Sequence, residues 1–145
     1  MKKILSFLSI VMILFACEDY KEIKYTQVIN YFVFNSATDV PALIKTEEMF
    51  DSYFGAAAFM GKNGMPTPID FSKEVVIAVV LPETFCPTTI TPVRLTQKEK
   101  KLIFYYSVKE DFPTSYTTRP FLLIKSSAKK AEKVRLVREK NVENE

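Results

Sequence analysis

Among the 145 residues of this chain there is no histidine. A Ser-His-Asp or Cys-His hydrolase needs an imidazole to take a proton and return it near neutral pH, so composition excludes both mechanisms. Glycosidase-type catalysis asks only for two acids, and Glu48, Asp51, Asp70, Glu74, Glu110 and Asp111 qualify by type. Glu48 and Asp51 share a helix face at i, i+3, an ordinary arrangement for a solvated surface. Asp70, ahead of Phe71-Ser72-Lys73, suits a cap on the turn into the apolar run that follows. No catalytic residue is assigned, and an enzyme is not expected. Exposed rings offer a different chemistry, since they stack on sugars and apolar ligand faces. Tyr105, Tyr106 and Tyr116 cluster in sequence with Phe104 and Phe112, although the lack of tryptophan weakens a carbohydrate platform. Adjacent strand residues point to opposite faces, so Tyr105 and Tyr106 cannot both be core. Lys62 and Asn63, in the Lys62-Asn63-Gly64 turn, complete the candidate binding residues. Gly55, Gly61 and Gly64 have neither the spacing nor the context of a phosphate loop or dinucleotide fingerprint.

Two cysteines remain, and the first ends a leader. Met1, Lys2 and Lys3 precede an apolar or small run from Ile4 to Ala16, the basic-then-apolar order of a secretory signal. As a helix this run covers roughly 20 Å, short of the ~30 Å hydrocarbon core of a bilayer. Leu14-Phe15-Ala16-Cys17 resembles the lipobox of bacterial lipoproteins, in which a small residue precedes a cysteine that is acylated and becomes the new amino terminus. The resemblance implies lipidation at Cys17, membrane lipid as the first partner, and a place in the cell envelope on a bacterial membrane, the outer membrane being the expected one. The acidic start, Glu18-Asp19, resembles sorting signals of Bacteroidetes-type lipoproteins and keeps surface exposure open. The alternative is an ordinary cleaved signal with an incidental cysteine and a soluble secreted domain.

Removing Lys2 and Lys3 from 20 basic residues leaves 18 against 17 acidic, so the mature chain is close to neutral whatever the full-length pI of 8.8 suggests. No sustained basic face for a phosphate backbone is expected, and nucleic acid is an unsuitable partner. With Cys17 consumed by lipid, Cys86 has no disulfide partner and zinc lacks its usual ligands, so neither metal nor cofactor is expected. Cys86, in Thr84-Phe85-Cys86-Pro87, is either a small buried hydrophobe or a reactive or intermolecular thiol.

These residues have to be positioned by a scaffold. The sequence divides into a signal peptide at 1–16, a lipid-anchored tether at 17–24, one domain at 25–138 and a polar tail at 139–145. Tyr25–Phe34 is β-branched and aromatic, as a strand requires. Thr46 is a good N-cap, Glu47 and Glu48 favour the first turn, and Met49, Phe50, Tyr53 and Phe54 share a face before Gly55, predicting one main helix. Residues 56–68 form a loop with two glycines and two prolines. Val75-Val76-Ile77-Ala78-Val79-Val80-Leu81 has no polar break, as expected of a strand buried on both faces. Thr88–Leu95, with Pro92 inside and Pro87 before it, belongs at an edge or at a bulge. Lys101–Lys109, Thr117–Ser126 and Lys133–Arg138 supply further strands. Short polar connections favour antiparallel hairpins, so the class is α+β: a mostly antiparallel sheet or partial barrel of about five to seven strands with one helix.

The run Ile69-Asp70-Phe71-Ser72-Lys73-Glu74-Val75-Val76-Ile77-Ala78-Val79 resembles the "VDFSKEMVV" segment of the PrcB carboxy-terminal-like family, named for a protease-complex subunit. In outline the likeness spans residues 25–126. It takes in Glu47, Met49, Phe50 and Phe54 before the segment, Leu102–Val108 after it, and Thr118-Arg119-Pro120-Phe121-Leu122-Leu123-Ile124-Lys125 at its close. Where that family has a glycine-rich turn after the central strand, this chain has Pro82-Glu83-Thr84-Phe85-Cys86-Pro87. The resemblance implies a small non-enzymatic envelope domain that contacts a protease or another protein. The expected function is therefore a membrane-tethered protein-interaction module, using an edge strand or the loop at 55–68. The alternative is a lipoprotein that captures a glycan or a small apolar molecule with its tyrosines.

Overall fold

A computed structural model describes residues 19–140. Strands β1 (Lys21–Ile23), β2 (Thr26–Val28), β3 (Tyr31–Val33) and β4 (Leu43–Ile44) precede one short helix, α1 (Glu47–Asp51). After it come β5 (Phe54–Ala56), β6 (Val75–Val80), β7 (Thr88–Lys98), β8 (Lys101–Glu110), β9 (Phe121–Ser126) and β10 (Lys133–Glu139). They assemble into an outer sheet in the order β1-β7-β8-β10, a central sheet in the order β2-β9-β6-β4, and a ribbon of β3 with β5.

The apolar run of β6 dictates the layering. Because consecutive side chains alternate faces, an unbroken apolar strand must be covered on both sides. Val75, Ile77 and Val79 turn toward the outer sheet and pack with Leu95, Leu102, Phe104, Leu122 and Ile124. Val76 and Ala78 turn the other way, onto Val28, Ile44, Phe50, Phe54 and Leu123. The central sheet is thus enclosed between the outer sheet and a layer made of α1 and the ribbon. The outer sheet has one covered face. On β8, Leu102, Phe104, Tyr106 and Val108 are buried, while Lys101, Ile103, Tyr105 and Ser107 alternate with them on the solvent side.

Several local expectations hold for the reasons given. Thr46 caps α1, its hydroxyl accepting from the Met49 N–H at 3.2 Å. Asp70 accepts from the Ser72 N–H at 3.0 Å, and the Glu74 carboxylate returns the favour to the Asp70 N–H at 3.0 Å, a reciprocal cap that launches β6. Glu74 also ion-pairs with Lys125 of β9 at 3.1 Å. The β7–β8 pairing slips between Pro92 and Arg94, the bulge anticipated from proline. β1 covers only residues 95–97 of β7, so among the described residues the half carrying Pro92 is an open edge.

Four expectations need correction. The main helix shrinks to five residues, because Phe54–Ala56 pairs with Tyr31–Val33 instead of continuing it. Gly55 is therefore not a helix end but a point of close approach: a Cβ there would lie 2.6 Å from the Phe32 ring. Tyr25–Phe34 is not one strand. Asn30, at φ 64°, breaks it so that β2 joins the central sheet and β3 the ribbon. The strands number ten among the described residues and form separate sheets with no closed barrel, and β10 runs parallel to β8. Residues 127–132 return the chain from β9 in the central sheet to the start of β8, which forces that parallel entry. Finally, strand structure reaches into both segments expected to lie outside the domain, since Lys21–Ile23 pairs with β7 and Glu139 lies within β10.

Candidate functional site

The tyrosines do not come together. Tyr106 is buried in the core beside Phe104, with ring centroids 6.3 Å apart. Tyr105 lies on the opposite face of the outer sheet, and its ring is covered by the Arg94 guanidinium at 3.8 Å from the centroid. Arg94 in turn reaches Glu139 on β10 at 2.7 Å. That stack uses the face of the ring a sugar would need. Tyr116 is exposed on a separate loop, where the Thr114 hydroxyl donates to the carbonyls of Phe85 and Tyr116, both at 3.0 Å. Phe85 and the almost wholly exposed Phe112 accompany it. Cys86, half-buried, sits in the same crosslinked turn, its N–H donating to the Thr84 hydroxyl at 3.1 Å.

The loop between β5 and β6 behaves differently. Backbone bonds from Phe59 to Gly64 at 2.9 Å and from Gly64 to Gly61 at 3.3 Å close a tight turn around Lys62 and Asn63. Gly64 is required there, because a Cβ would meet the Phe59 carbonyl oxygen at 1.9 Å. The turn is held to the body by Asn30, whose side-chain amide donates to Asn63 at 2.7 Å and Met65 at 2.8 Å. At its base the Thr67 hydroxyl accepts from the Ile29 N–H at 3.0 Å, and the Tyr31 hydroxyl donates to the Thr67 carbonyl at 2.9 Å. Burial, and then the nearby Asp51 carboxylate, raise the Tyr31 hydroxyl above its ordinary range, so it remains a donor. So held, the loop exposes Met60 completely, Met65 at 76% and Phe59 at 57%, with Ile29 at 46% beside its base.

The acids considered for catalysis fall into three separate pairs, with Glu110 and Asp111 exposed at the end of β8. Glu48 and Asp51 lie exposed on α1, and Asp70 and Glu74 are engaged in the cap. Among the described residues no group of three potential metal ligands occurs, and no helix is long and apolar enough to cross a membrane. Cys17 lies outside the described residues.

One further feature is built from residues far apart in the sequence. A groove of about 250 Å³ on the outer sheet is lined by Tyr20, Lys101, Ile103, Lys133 and Arg135 among others. Its residues come from three distant segments, and the parallel pairing of β8 with β10 that joins them has no local signature. Compared with protein-family models, with curated proteins and with solved structures, the chain finds no match in any of the three.

Proposed function

We propose that this protein is a bacterial envelope lipoprotein, anchored through acylated Cys17, whose β-rich domain is a non-enzymatic protein-interaction module. The observation that carries the reading is the loop at 57–66. Exposed Phe and Met side chains are usually dispersed, whereas here three sit on one turn that hydrogen bonds hold in a fixed shape. A preorganised apolar element loses little conformational entropy on binding, and methionine adapts to irregular partner surfaces. The lipobox-like Leu14-Phe15-Ala16-Cys17 supports the anchor, and the likeness of residues 69–79 to the PrcB carboxy-terminal-like family supports a role in contacting a protease or another envelope protein. Ligand capture by the tyrosines has less to recommend it, because they occupy three different environments.

Two measurements test this. Cys17→Ala should abolish acyl labelling and release the chain from membranes; persistent labelling overturns the anchor. Affinity purification from detergent-solubilised membranes should recover a reproducible partner, which Met60→Ser with Met65→Ser should weaken roughly thirtyfold or more, as loss of a central apolar contact does. Recovery of no partner, or of one indifferent to both substitutions, overturns the interaction surface.

A further inference from the structure

The solvent face of the outer sheet carries charges that its neighbours do not neutralise. β10 lies parallel to β8 with Lys133 paired to Lys101 and Arg135 to Ile103, and strand alternation puts all four side chains on the solvent face. Like charges directly opposite on adjacent strands destabilise a sheet. Neither lysine nor Arg135 forms an ion pair with a described acid: Glu132 is taken by Lys100 at 2.6 Å, and Glu139 by Arg94. Glu22 is paired to Thr96 of β7, on the far side of β8 from β10. Tyr20 and Ile103 add apolar surface to the same groove. Three cations set around an apolar floor match an anion carried on an apolar stem.

We propose that this groove binds the phosphate of an anionic phospholipid headgroup and lays the outer sheet against the membrane that holds Cys17. The occupant follows from the proposed anchor at Cys17. Tyr20, which lines one end of the groove, is three residues from Cys17, and an extended chain spans at most ~3.6 Å per residue, so an acylated Cys17 keeps that end within about 11 Å of the lipid-bearing residue. Once the sheet lies within a Debye length of an anionic surface, each basic residue facing it strengthens attachment roughly fivefold. The proposal rests on the anchoring reading, but its test does not require the lipid.

Both core clusters and the hydrophobics packed on them lie within residues 23–136, so a chain starting at Glu18 retains the whole core. That chain should float with vesicles of phosphatidylglycerol in phosphatidylcholine and stay behind with pure phosphatidylcholine. Lys133→Glu should lower binding to the anionic vesicles roughly 25-fold while leaving the melting temperature unchanged or higher, since it turns an opposed lysine pair into an opposite-charge pair. A merely structural Lys133 would not give that combination. Equal binding to both vesicles, or binding unchanged by Lys133→Glu, overturns the proposal. So does inorganic phosphate that binds the free chain and displaces it from vesicles, because the site would then take a soluble anion. Vesicle binding without acyl labelling at Cys17 in cells would uphold the groove and overturn the anchor.

Discussion

The central and outer sheets are both four-stranded and share one core, yet they differ in what their second faces do. The central sheet spends both faces on packing: β6 is buried from Val75 to Val79 and touches a core on either side. The outer sheet buries one face and leaves the other to Arg94, Tyr105, Lys101, Lys133 and Arg135. Stability is therefore concentrated in the central layer, while surface chemistry is confined to the outer sheet and the loops. Paired substitutions test this division directly. Ile77, fully buried in the central sheet, should cost about 2–5 kcal/mol on Ile77→Ala, the range for truncating a packed side chain into a cavity. Ile103→Ala, on the solvent face of β8, should cost under about 1 kcal/mol in the same denaturant titration. Comparable losses at the two positions would show that the outer face is packed against something in solution.

The same contrast explains what was legible in the sequence. An unbroken run such as Val75–Leu81 has one physical solution, burial on both faces, and alternation in Lys101–Lys109 has another. Local chemistry was legible too: the Thr46 cap, the Asp70 turn, the proline bulge and the Lys62-Asn63-Gly64 turn each depend on a few adjacent residues. What escaped depends on pairing between distant segments. Phe54 fits a helix face as well as a strand, and only the β3 partner decides between them. The parallel entry of β10 comes from the path of residues 127–132 across the molecule, so the Lys101–Lys133 juxtaposition and the groove around Tyr20 could not be foreseen. The tyrosines fail for a related reason: closeness in sequence along one strand separates Tyr105 from Tyr106 instead of joining them.

Asn30 probes the link between the body and the exposed apolar loop. It holds a left-handed backbone and donates two hydrogen bonds into the turn, so Asn30→Ala should cost about 2 kcal/mol, combining backbone strain with the lost bonds. Asn30→Gly tolerates the backbone and loses only the bonds, so it should cost less. In hydrogen exchange, both should speed exchange at Gly64 and Thr67 while β6 amides keep their protection. Faster exchange spreading through β6 would mean that the loop is integral to the core, and the separation between packed layer and presented loop would fail.

The smallest effect lies at the entrance to β6, where the packed layer meets solvent. The Ser72 hydroxyl and then its N–H donate to Asp70, and with Lys73 nearby they hold this carboxyl below its ordinary value of 3.8. A carboxyl lowered on folding contributes stability that is present above the unfolded-state value and is lost as pH falls through the folded one. Asp70 is solvent-exposed, so the contribution is modest, and it is lost only in acid. Asp70→Ala should therefore lower the melting temperature slightly at neutral pH, and the gap to the parent chain should narrow below pH 3.8. A gap independent of pH would assign the role of Asp70 to turn geometry alone, leaving the reciprocal bond between Glu74 and the Asp70 N–H to start the central strand.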